Sequence, residues 1–166
     1  MDQKLLDLNF MREALFEAQK AFEHGEIPVG AILVLKSRVI ARTFNQVELL
    51  QDSSAHAELL CIRKGSLLLK NWRLLETTLY TTLEPCLMCV GALLLSRVAR
   101  VVWGAPNLRY GACKSVLTNH KVRIEGGVMK KESNQILREF FKKQREKNHM
   151  NCVVYNDSLR NTKLHK

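Results

Sequence analysis

Leu8, Met11, Leu15, Ala18 and Phe22 recur at helical spacing, which predicts an amphipathic helix over 9–24 that stops at Gly25. Residues 29–35 and 38–44 read as two strands joined by a Lys36-Ser37 turn, a β-hairpin. Asp52-Ser53-Ser54 offers N-caps for a second helix over 55–64, with Gly65 as its stop. The β-branched run 77–82 makes a third strand. Pro85 then suits the first turn of a helix, where its missing N–H is not needed. That helix, 86–96, carries Val90, Ala92, Leu93, Leu94 and Leu95 and should be buried on most sides. A fourth strand follows over 98–103, and a short fifth over 122–124. A closing helix over 133–148 turns Ile136, Leu137, Phe140 and Phe141 to the core.

Strands that alternate with helices imply an α/β fold in three layers, α/β/α. The five-stranded sheet is expected to be mixed but mostly parallel, with the opening hairpin as its antiparallel part. No internal repeat is visible, and residues 1–149 read as one domain. Residues 150–166 lack periodicity and read as a polar, frayed tail.

Composition narrows the class of protein. With 46% hydrophobic and 25% charged residues the chain is ordinary globular material, and no apolar run is long enough to cross a bilayer. The opening Met1-Asp2-Gln3-Lys4-Leu5 lacks the layout of a secretory signal. Five cysteines without a disulfide-framework spacing suit a reducing compartment, so the expected location is the cytoplasm. The net charge of +10 is uneven: residues 121–166 hold 12 Lys and Arg against 5 Asp and Glu, the rest 14 against 11. A basic segment on a near-neutral body suits a polyanionic partner, although a solvated face would look the same.

The chemistry lies in two short runs, His56-Ala57-Glu58 and Pro85-Cys86-Leu87-Met88-Cys89, with Cys86 thirty residues after His56. One imidazole and two thiolates can hold a single zinc ion and leave its fourth position open, the mark of a catalytic rather than a structural site. On the predicted elements the ligands fall in the first turns of two helices, where partial positive charge favours thiolate. Zinc can lower the pKa of a bound water to about 7. Glu58 is not needed as a ligand and can carry protons from that water to a ring nitrogen and a leaving amine. A lone C-x-x-C is shared with redox pairs and zinc knuckles. Joined to His-x-Glu it becomes the signature of zinc nucleobase deaminases.

From about Phe10 to Arg145 the chain resembles tRNA adenosine deaminases of the TadA type, within the cytidine and deoxycytidylate deaminase superfamily. The likeness is carried by the zinc motif, Glu26-Ile27-Pro28-Val29-Gly30-Ala31, Arg38-Val39-Ile40, Phe44-Asn45, the run from Thr78 to Cys86, Gly91-Ala92, Val101-Val102-Trp103-Gly104-Ala105 and Phe140-Phe141-Lys142. It implies a cytidine-deaminase-like fold and conversion of the wobble adenosine of a tRNA anticodon to inosine. It also implies a homodimer with one zinc per chain, held by His56, Cys86 and Cys89, with Glu58 as proton carrier. The family suggests that Asn45 meets the flipped base or its ribose, although an Asn that ends a strand in a turn would look the same. Val29 is expected as a pocket wall or plain core. Phe140 and Phe141 are expected to shape the groove for the anticodon loop, with core packing for at least one of them. Lys142, Lys143 and Arg145 suit phosphates or a solvated helix face.

Two departures stand out. Asp52-Ser53 replaces the usual Asp-Pro before the histidine motif and is expected to loosen that loop. Asn107 stands where relatives often carry Asp. An amide donates as well as accepts, so a weaker preference for a ribose 2′-OH, and better competition by DNA hairpins, is expected there; a neutral loop substitution is the duller account. Free-base and nucleotide deaminases share the zinc motif and stay open as alternatives. A zinc-stabilised RNA-binding module without catalysis fits less well, since it would gain nothing from Glu58.

Overall fold

A computed structural model describes the backbone of residues 2–117 and 120–161. Helix α1 (Gln3–Glu23) starts well before residue 9, because Asp2 accepts a hydrogen bond from the Lys4 amide and caps it. The predicted hairpin is strand β1 (Gly30–Leu35) and strand β2 (Arg38–Phe44), with Lys36 and Ser37 both at positive φ, as a two-residue hairpin turn requires. A short helix α2 (Val47–Leu50), too brief to show a period, precedes helix α3 (Ala57–Leu69). Strand β3 (Thr78–Leu83), helix α4 (Leu87–Leu95) and strand β4 (Arg100–Ala105) follow. A π-helical turn (Cys113–Leu117), strand β5 (Arg123–Gly126) and helix α5 (Lys130–Asn161) complete the chain.

The five strands lie in the order β2-β1-β3-β4-β5. The β1–β2 and β1–β3 pairs are antiparallel, β3–β4 and β4–β5 parallel. The sheet is mixed as expected, but its parallel share is half, not most. The reason is topological. The crossover through α3 makes β3 run the same way as β2, yet β3 docks beside β1, which runs the other way.

Helices cover both faces, giving the three layers. Ile32, Val34, Tyr80 and Val102 pack with Met11 and Ala14 of α1 on one face. Ala31, Leu33, Leu79, Val101 and Trp103 pack with Ala57 and Cys61 of α3 and Val90 and Leu93 of α4 on the other. Small residues set how closely the helices approach. Gly30 lies directly against the backbone of α1 at Ala14 and Ala18, where any side chain would collide.

Gly65 is not the end of α3. It continues a stripe of small buried residues, Ala57, Cys61 and Gly65, at i+4 spacing, and a Cβ there would strike the Leu33 side chain. The helix ends instead at Lys70, in the left-handed conformation at φ 49°. Helix α5 also runs beyond residue 148, through much of the segment read as a frayed tail, since no Gly or Pro interrupts 130–161. Residues 162–166 of that segment lie outside the described residues. Among the described residues no helix is long and apolar enough to cross a membrane.

The amino end of β4 is fastened to α1. Asp7, almost fully buried, takes two 2.7 Å hydrogen bonds from Arg100 and one of 2.8 Å from the Tyr80 hydroxyl. Burial alone would push its carboxyl up. The hydrogen bonds from Arg100, Tyr80 and Gln3 and the Arg100 charge outweigh that, and the pKa lies below its usual value.

Candidate active site

His56 and Cys86 are the N-cap residues of α3 and α4, one position before the first turn in which the spacing placed them. Both have extended backbone, and neither side chain caps its own helix. Cys89 sits in the first turn of α4 and is fully buried, and the buried Pro85 precedes the cap rather than opening the helix. The His56 Nδ1 lies 3.6 Å from Cys86 Sγ and 3.5 Å from Cys89 Sγ, and the two sulfurs are 3.7 Å apart. For Zn–S of about 2.3 Å and Zn–N of about 2.0–2.1 Å, a tetrahedron has S···S edges of about 3.8 Å and S···N edges of about 3.6 Å. The three donors thus have the separations that a shared tetrahedral zinc requires.

Their electrostatics agree. Hydrogen bonds from Cys89 and His56 pull Cys86 down to about 3, while the bond to Cys86 and burial push Cys89 up. The Cys86 sulfur in turn raises the His56 pKa. Binding a dication would remove the remaining thiol proton, and two thiolates with a neutral imidazole would balance its charge. Glu58, in the first turn of α3, is buried, and that burial raises its carboxyl above the usual range.

The cluster forms part of the wall of a cavity of about 630 Å³ at the carboxyl ends of β3 and β4. Glu58, Asn45, Val29, Asn107 and Phe141 line that same space with His56 and Cys86. Phe140 does not. It is buried, edge-on to Phe22 and Phe141, so of the two aromatics expected at the groove only Phe141 faces the cavity. The reason is helical geometry: neighbours on α5 point about 100° apart, and Phe140 takes the α1 side. The loop before His56 is not left loose, because Asp52 Oδ1 accepts from both the amide and the hydroxyl of Ser54.

Several lining residues carry no local signal in the sequence. Glu26 is almost completely buried in the cavity wall, and its partners lie 19 and 23 residues away. Glu84 accepts a 3.4 Å hydrogen bond from the Asn107 amide and so ties the loop after β4 to the residues before Cys86. A backbone bridge between Cys86 and Gly111 strengthens the same tie. The Asn107 Oδ1 is occupied by the Tyr110 amide at 3.0 Å, and the Arg109 guanidinium stacks on Tyr110 at the rim. The run Glu84-Pro85 next to a ligand is the one hint of this coupling that the sequence offered.

Residues 5–105 match the family described as the cytidine and deoxycytidylate deaminase zinc-binding region. The tRNA-specific adenosine deaminase of Bacillus subtilis (strain 168) is 44% identical over 146 residues, 83% of this chain and 90% of that protein. The chloroplastic tRNA(adenine(34)) deaminase of Arabidopsis thaliana is 45% identical over 163 residues. The match spans 84% of this chain but only 12% of that much longer protein. A structure from work on A-to-I editing by tRNA:A34 deaminases at the wobble position of transfer RNA superposes with a TM-score of 0.74 at 41% identity, covering 78% of this chain and 99% of that one. With its fold, its donor cluster and its sequence in agreement, the chain belongs to the cytidine and deoxycytidylate deaminase family, on the branch of the tRNA-specific adenosine deaminases.

Proposed function

We propose that this chain hydrolytically deaminates adenosine to inosine at the wobble position of a tRNA anticodon, using one zinc ion per chain. The observation that carries the proposal is the tetrahedron-sized triangle of His56, Cys86 and Cys89 beside a buried Glu58, in the wall of a cavity large enough for a nucleoside. When bound, zinc would supply the acidity that makes water a nucleophile at neutral pH. Glu58 takes one proton from that water and delivers it to the ring nitrogen as the oxygen bonds to C6. It then carries the remaining hydroxyl proton to the amino group, the C6–N bond breaks, ammonia leaves, and the oxygen stays as the C6 carbonyl of inosine. A carboxyl whose affinity for protons is raised by burial suits that traffic.

Val29 and Phe141 offer apolar walls to the base, while Asn45 and Asn107 offer polar groups to its edge or ribose. A stacked, paired base cannot reach such a recess, so the target sits in a loop or is flipped out. Lys142, Lys143 and Arg145 follow Phe141 on the exposed face of α5, in reach of a phosphate backbone running over the rim. The homodimer expected from the resemblance is supported by the outer face of α4, where Leu87, Met88 and Leu95 are exposed and nothing packs on Gly91. Four free cysteines among the described residues suit a cytoplasmic site of action.

The test is incubation of the zinc-loaded protein with total tRNA, followed by inosine mapping by sequencing. New inosine confined to the first anticodon base, reproduced on an isolated anticodon stem-loop, is the expected result. Editing confined to duplex RNA, or turnover of free purines without tRNA binding at low salt, would overturn the assignment.

A further inference from the structure

Glu26 is a carboxylate with 1% of its surface exposed, and no cation pairs with it among the described residues. Burying such a group is costly unless its oxygens are used, and here both are. Gly25, at φ +77°, ends α1 with the Glu26 amide bonded back to the Ala21 carbonyl at 2.9 Å, which drops Glu26 into the wall of the cavity. Its Oε2 accepts from Asn45 Nδ2 at 3.1 Å, and its Oε1 from the Leu49 amide in α2 at 2.7 Å. Helix α2 itself contributes Val47 and Glu48 to the lining.

We infer that Glu26 is a positioning residue, which fixes which way the Asn45 amide faces and clamps α2 against the rim. The inference rests on the deaminase reading above and extends it to a residue away from the reacting atoms. Its physical basis is an asymmetry of donors and acceptors. A carboxylate only accepts, so Asn45 must turn its NH₂ toward Glu26. One Nδ2–H is thereby consumed. Oδ1, which has no hydrogen-bond partner among the described residues, and the second N–H remain for the substrate. An asparagine free to flip would present either pattern, and only one of the two suits a given nucleoside. Glu26 removes that choice before the substrate arrives.

Glu26→Gln keeps the volume but has one acceptor oxygen where two are used. It can satisfy Leu49 or hold the Asn45 orientation, not both. The metal ligands and Glu58 are untouched. The expected result is a fall in kcat/KM on an anticodon stem-loop of roughly 10- to 100-fold, with zinc content unchanged. The same substitution made on an Asn45→Ala background should cost less than about threefold, because the group being oriented has gone. In parallel, the hydrogen-bonded Asn45 Nδ2–H, assigned by ¹⁵N NMR, should lose its downfield shift and its protection from solvent exchange in Glu26→Gln. Equal losses in the wild-type and Asn45→Ala backgrounds, or an unchanged Asn45 amide signal, would overturn the inference. The NMR arm needs no turnover, so it separates failure here from a failure of the deaminase assignment, which would show as a wild-type protein that makes no inosine.

Discussion

Two buried carboxylates at opposite ends of the parallel strands have met opposite fates. At the amino end of β4, Asp7 is surrounded by Arg100, Tyr80 and Gln3, and its charge is held below the usual pKa. At the carboxyl end, Glu58 is buried with no arginine or lysine paired to it among the described residues, and its proton affinity rises. Both side chains are acids in a protein interior, yet one is a fastener and the other a tool. The difference lies in the supply of compensating groups. A carboxylate tied to a guanidinium holds its charge, whereas one desolvated without such a cation remains available to a proton or a metal-activated water.

The same isosteric change at the two ends should therefore break different things. Glu58→Gln is expected to lower inosine formation by roughly a hundred- to ten-thousand-fold while one zinc per chain and the melting temperature are retained. Loss of zinc in that variant, read by elemental analysis, would make Glu58 a ligand and erase the contrast. Asp7→Asn should leave the turnover of each folded molecule unchanged and cost about 3 kcal/mol of stability in denaturant titration, because Arg100 stays buried without its anion. Its pH signature sharpens the comparison. A depressed folded-state pKa stabilises the protein above the ordinary value of 3.8, and that contribution disappears as pH falls through the lower folded value. The wild type should lose this increment in acid, and Asp7→Asn should show a flatter stability profile there.

The smallest effect belongs to the loop after β4, at the Glu58 end. In Asn107→Asp the Oδ1 that holds the Tyr110 amide is conserved, so fold and zinc content should not change. Only the donating NH₂ is exchanged for an acceptor, and the ratio of RNA to DNA hairpin turnover should rise several-fold if that group weighs the ribose. Equal ratios for the two proteins would reduce Asn107 to a turn residue.

What could be read in advance follows from the range of each interaction. The metal triad was legible because its donors cluster in two short runs, and the hairpin because alternation and a two-residue turn are local. Gly65 misled because a glycine that ends a helix and a glycine that lets a helix touch Leu33 are the same letter, and only the sheet beneath decides. The β1–β3 neighbourhood could not be derived from strand order, since it depends on which edge the crossover reaches. Glu26 carries no local signal, because its role is set by Asn45 and Leu49, reached only after the hairpin closes. Phe140 and Phe141 are adjacent letters with one composition and two destinations, separated by the turn of the helix.

His56 and Cys86 stand where two helices begin, without capping them. At such positions Ser, Thr, Asp or Asn would ordinarily be favoured by about 1 kcal/mol each. Any effort to make this protein more heat-resistant by improving its helix starts meets a wall at these two sites, since the residues that would strengthen the scaffold are the ones that would disarm it. Room for thermal improvement lies at positions away from the metal ligands and the cavity wall.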